Sequence, residues 1–118
     1  MSLKRNDPVA PPTIGEEWHV RYGVTDAVGG WQELENRAAS NLRAAWEVMR
    51  NSPGAASGRP TSRHHRLRGP VSTVVRGGRM LPQWQIEVTG GDRVWYLVDA
   101  EKRTVWVDYA GAHPKATE

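Results

Sequence analysis

The chain has 118 residues, 38% hydrophobic and 25% charged, with a net charge of +3 and no cysteine. That length holds one domain with a single core, and the composition fits a folded globule rather than a disordered chain. The missing cysteines rule out disulfides, thiolate metal sites and a cysteine nucleophile.

Residues 1–15 contain Pro8, Pro11, Pro12 and Gly15 with few large apolar groups, which predicts a flexible N-terminal arm ahead of a single domain over 16–118. The first eight residues lack the apolar stretch of a signal peptide, and no apolar run nears the roughly 20 residues that cross a bilayer. A cytoplasmic protein with no membrane partner is expected.

From Glu17 to Val24 apolar and polar residues alternate, with Trp18, Val20, Tyr22 and Val24 on one face, which predicts a first strand. Thr25 and Asp26 are candidate helix caps. Beyond them Trp31, Leu34, Ala38, Leu42, Ala45, Trp46 and Met49 recur every three or four residues, so either two helices, about 26–37 and 40–51, or one bent helix fits. Asn51-Ser52-Pro53-Gly54 ends them.

A small-residue connector follows, then Ser62-Arg63-His64-His65-Arg66-Leu67-Arg68-Gly69 and a β-branched run, Pro70 to Val75, suited to a short edge strand. Three further strands, Trp84–Val88, Arg93–Asp99 and Thr104–Tyr109, are separated by short connectors and should pair as an antiparallel meander. Charge is segregated along this order. Residues 48–86 carry seven Arg and no acid, while the remainder holds nine Lys or Arg against thirteen acids. Such a run predicts either a positive field that steers a polyanion, RNA or DNA first, or a solvated basic loop.

Three stretches carry a resemblance. Arg66-Leu67-Arg68-Gly69 looks like a basic-Leu-basic-Gly turn, Gly91-Asp92-Arg93-Val94-Trp95-Tyr96-Leu97-Val98 like a "G-x-Arg-hydrophobic-x-Tyr" strand, and Ala112-His113-Pro114-Lys115 closes the last strand. In this order, from about Glu17 to Glu118, the chain resembles the RelE/ParE superfamily of bacterial toxin–antitoxin toxins. The resemblance implies an α+β fold in which two N-terminal helices pack on a curved, mainly antiparallel four-to-five-stranded sheet. It implies an endoribonuclease that inhibits translation by cutting ribosome-bound mRNA, requires no metal or cofactor, and is silenced by a cognate antitoxin protein. Related members act on DNA gyrase instead, and a non-catalytic nucleic-acid- or protein-binding module of the same fold is a further alternative.

RNA cleavage by 2′-hydroxyl attack needs a base, an acid and cations around phosphorus. Arg66 and Arg68 flank Leu67, so on an extended segment they share one face and grip phosphate while Leu67 turns inward. Arg93 and Lys115 are matched by the resemblance to further phosphate contacts; a salt bridge and a solvated tail are the respective alternatives. His65 and His113 are candidate proton carriers, or structural hydrogen-bonding groups. Adjacent His64 and His65 point to opposite faces, so only one lines a given site. Gln85 and Glu87 stand where ribonuclease members usually place basic residues, and no tyrosine follows His113. Glu87 is therefore a general base, the structural partner of an arginine, Arg93 or Arg68, or a sign that catalysis was lost. No metal site is expected.

Overall fold

The computed structural model describes residues 2–9, 11–54 and 61–114. In chain order these form β1 (His19–Tyr22), α1 (Asp26–Arg37), α2 (Ala39–Asn51), β2 (His64–Arg66), β3 (Thr73–Arg76), β4 (Arg79–Thr89), β5 (Asp92–Asp99) and β6 (Thr104–Ala112). The strands make one sheet in the order β1-β6-β5-β4-β2, with β3 paired to the first part of β4.

This corrects the expected architecture. The sheet has six strands and is mixed, because β1 runs parallel to β6, and the two helices lie mid-chain between β1 and β2 rather than at the N-terminus. Both differences have a physical origin. β1 and β6 are not consecutive in the chain, so no tight hairpin forces them antiparallel, and α1 and α2 carry the chain from β1 across to the far edge of the sheet, where β2 runs opposite to β1. Part of the basic run, for which no strand was expected, is extended enough to bond β4, with His64, His65 and Arg66 opposite Ile86, Gln85 and Trp84.

The helices form because their apolar spacing matches a sheet face. Trp31 and Leu34 of α1, and Leu42, Ala45, Trp46 and Met49 of α2, are buried against Val20, Tyr22, Ile86, Val94, Tyr96, Val105 and Val107. Ala38, at φ −148°, breaks the two helices apart. Thr25 occupies the position before α1, but its hydroxyl accepts the Arg5 N–H at 3.1 Å and does not cap the helix.

The segment predicted to be a flexible arm is bonded along β1. Val9 N–H donates to the Val20 carbonyl at 2.8 Å, Tyr22 N–H to that of Asp7 at 3.0 Å, and Asn6 N–H to that of Tyr22 at 2.8 Å. Val9 is buried in the core, its carbonyl accepting the Trp46 indole N–H at 3.1 Å. The buried Arg50 guanidinium donates to the carbonyls of Pro11 and Pro12, pairs with Glu17 at 3.2 Å and lies over the Trp46 ring.

β3 and β4 form a hairpin whose two turn residues, Gly77 and Gly78, both have positive φ, 61° and 78°, as a twisted two-residue turn requires. Its strand ends are anchored by two forked ion pairs: Arg76 to Asp108 at 2.9 and 3.2 Å, and Arg79 to Asp99 at 2.7 and 2.9 Å, with Glu101 also on Arg79. The fold therefore consumes much of the acid-free run. Arg50, Arg63, Arg76 and Arg79 each meet a carboxylate from outside it, so the segregation seen along the sequence does not become one large positive surface.

Candidate nucleic-acid interface

Antiparallel register decides which side chains share a face, because directly opposed residues point the same way. His65 lies opposite Gln85, Gln85 opposite Trp95, and Trp95 opposite Tyr109, forming one row across the face away from the helices. The next row on that face runs from Glu87 to Arg93 to Gly111. Arg63 joins it, its carbonyl accepting the Glu87 N–H at 2.7 Å.

Within these rows polar groups are closely matched. The Trp95 indole N–H donates to the Gln85 side-chain oxygen at 2.7 Å, so Gln85 serves a buried indole. Glu87 sits between two guanidiniums, Arg63 at 3.2 Å and Arg93 at 3.4 Å. Arg93 also donates to the carbonyls of Thr89 at 2.9 Å and Asp92 at 3.0 Å, which clasps the β4–β5 turn. Of the readings the sequence leaves open for Glu87, arginine partner describes this geometry, and Arg93 is built into the turn rather than turned out to solvent. Arg63 is different: its side chain is 83% exposed.

The convergence expected of Arg66, Arg68 and Arg93 is not formed. Arg66 is opposite Trp84 and shares the helix-side face with His64, whereas Arg93 is on the other face. Leu67 does turn inward and is buried, bonded through its N–H to the Gln83 carbonyl at 2.8 Å. The same alternation was legible in the sequence: once Leu67 turns in, His65 and Arg63 follow on its side, and Arg66 and Arg68 on the other. What β2 and its flanks present is an edge with Arg63 and His65 toward one face and Arg66 toward the other, with exposed Arg68 just beyond.

His65 and His113 do not form a pair. His113 bonds Gly91 through its N–H and its own ring Nδ1 donates to the Pro114 carbonyl at 3.1 Å, placing it on the β6 side. His65 is on β2, three strand spacings away, about 14 Å. The His65 Nδ1 lies 3.1 Å from the Thr61 carbonyl and so carries the proton, which makes Nε2 the basic nitrogen. Lys115 lies outside the described residues. Among those residues, no group of three or more His, Asp or Glu is arranged to hold a metal ion, and no helix is long and apolar enough to cross a membrane.

One anchor of β2 was missed in the sequence. The Tyr96 hydroxyl donates to the Pro53 carbonyl at 2.6 Å and accepts from His64 Nε2 at 2.5 Å. A single buried oxygen thus fastens Pro53, two residues beyond the end of α2, and the residue that begins β2. Burial lowers the His64 pKa and keeps the ring neutral. A tyrosine in a strand and a histidine 32 residues earlier carry no sequence signal that they will meet.

Comparison with family models, with curated proteins and with solved structures finds no match to this chain.

Proposed function

We propose that the protein binds single-stranded RNA along the β2 edge and cuts it without a metal ion, as the toxin of a cytoplasmic toxin–antitoxin pair that inhibits translation. The observation that carries this reading is the edge itself: Arg63, His65, Arg66 and Arg68 fall within six residues of a strand pinned from inside by His64 and Leu67. Guanidiniums on both sides of an edge suit a phosphate backbone running past it. The fixed tautomer of His65 suits its Nε2 to take the 2′-hydroxyl proton. As that oxygen bonds to phosphorus, the bond to the 5′-oxygen breaks, leaving a 2′,3′-cyclic phosphate, and the departing 5′-oxygen takes a proton from water. Arg63 and Arg66 oppose the charge gained by the phosphoryl oxygens.

Binding without cleavage is a second reading, favoured by Glu87 closing on Arg63 and Arg93 beside His65. A carboxylate there repels phosphate and competes for both cations. The two readings separate on one assay, incubation of end-labelled RNA with the purified chain in EDTA. Cleavage by wild type that His65→Ala abolishes, without loss of RNA retention on a filter, supports the nuclease. Retention without cleavage supports the binding module. In bacteria expressing the chain, arrest of methionine incorporation ahead of thymidine incorporation is expected; the reverse order points to gyrase.

A further inference from the structure

Two strands follow one another along the open side of β4: β2 and, after the turn at Gly69–Val71, β3. The Gln83 N–H donates to the Ser72 carbonyl at 2.9 Å, and bonded and unbonded pairs alternate along an antiparallel ladder. Val74 and Arg76 therefore bond β4, while the N–H and C=O groups of Thr73 and Val75 point away from it. Among the described residues no strand lies on that side of β3. The opposite border of the sheet, β1, is covered by Asn6 to Val9.

Edge strands are normally blunted by lysine, proline or a bulge. Thr73-Val74-Val75 has none of these. Arg76 is turned onto Asp108, and Arg79 onto Asp99 and Glu101, so neither charge of the hairpin is left to repel a neighbour or to draw an acidic one. Beside the edge Val75 lies opposite Met80, and the pair is 65% and 70% exposed. A neutral, β-branched edge of this kind is complementary to another like itself. Two copies related by a two-fold axis at Val74 set Thr73 of each opposite Val75 of the other, so all the outward N–H and C=O groups of both residues find partners. Arg76 then stands beside Ser72 of the second copy rather than beside its own twin.

We propose that the protein forms a symmetric dimer by antiparallel pairing of β3 with β3 of a second copy. The dimer holds or fails separately from the RNA reading. It is tested by sedimentation of the full chain, without RNA, from about 1 to 500 µM, where the mass should rise from that of one chain toward that of two. Val75→Lys puts a charge at the edge, and Val75→Pro removes an outward N–H while sparing the bonds to β4. Each should raise the dimer dissociation constant by about tenfold or more, with the urea midpoint little changed where all the chains are monomeric. Val74→Cys, in a chain with no other cysteine, should oxidise to a linked dimer because Val74 meets its own copy at the axis, and Met80→Cys should link far less. A wild-type chain that stays monomeric throughout overturns the dimer and leaves the edge to a strand of another protein. A dimer that survives both Val75 substitutions, or that Val74→Cys fails to link, uses another surface and also overturns the inference.

Discussion

Gly30 lies so close to Ala110 that a Cβ on it would stand 2.0 Å from the Ala110 carbonyl oxygen. The neighbouring Gly29 has nothing within 4 Å of the same position. Both are in α1, where glycine costs about 1 kcal/mol relative to alanine. Gly29→Ala should therefore stabilise the protein by up to about 1 kcal/mol. Gly30→Ala should destabilise it by about 2–3 kcal/mol, because α1 must move off β6. Urea unfolding of the two variants should give midpoints displaced in opposite directions.

Tyr96→Phe removes the oxygen that joins Pro53 to His64. The buried carbonyl and the imidazole N–H lose their shared partner, at a cost of about 2–3 kcal/mol. Because β2 is only three residues long, the amides of residues 64–66 should lose more hydrogen-exchange protection than those of β5 and β6.

The same cluster makes stability depend on pH near neutrality. Burial depresses the folded His64 pKa, so below the ordinary value of 6.5 the unfolded chain takes up a proton that the folded chain resists. Its contribution is complete above pH 6.5 and declines as pH falls. His64→Gln, which keeps a donor for Tyr96 but does not titrate, should flatten the slope of unfolding free energy between pH 6.5 and 5.

A second pH dependence belongs to Asp92. Arg37 holds it through two hydrogen bonds of 2.7 Å, Thr89 adds a third, and its pKa falls from 3.8 to about 2. A carboxylate depressed on folding stabilises above its unfolded value, so this contribution is present above about pH 4 and lost as pH falls toward 2. Asp92→Asn should lower the melting temperature at pH 7 and have a much smaller effect at pH 2.

If the β2 edge carries the RNA backbone, Arg66→Ala should weaken binding of all RNA oligomers to a similar degree and lower the slope of log affinity against log salt by about 1. Arg76→Ala, whose charge is taken by Asp108, should leave the slope unchanged.

The sequence made the helices, the meander and the inward turn of Leu67 legible because each depends on local spacing. It did not reveal that Arg50, Arg76 and Arg79 are neutralised, since their partners Glu17, Asp108 and Asp99 are 20 to 33 positions away and meet them only through tertiary packing. The mixed sheet was hidden for a related reason: β1 has the alternation of any half-buried strand, and nothing in its four residues says that its neighbour will be β6. Glu87 was recognised as ambiguous from its residue type, and only the register of Arg63 and Arg93 about it shows how it is held.

The N-terminal arm lying against β1 has a consequence for assembly. A sheet open on two sides can recruit neighbours without end, whereas here one side is occupied by the chain's own residues Asn6 to Val9. Deleting the arm would bare the β1 backbone groups that Asn6, Asp7 and Val9 now occupy, opening to another copy a pairing side that the intact chain fills for itself.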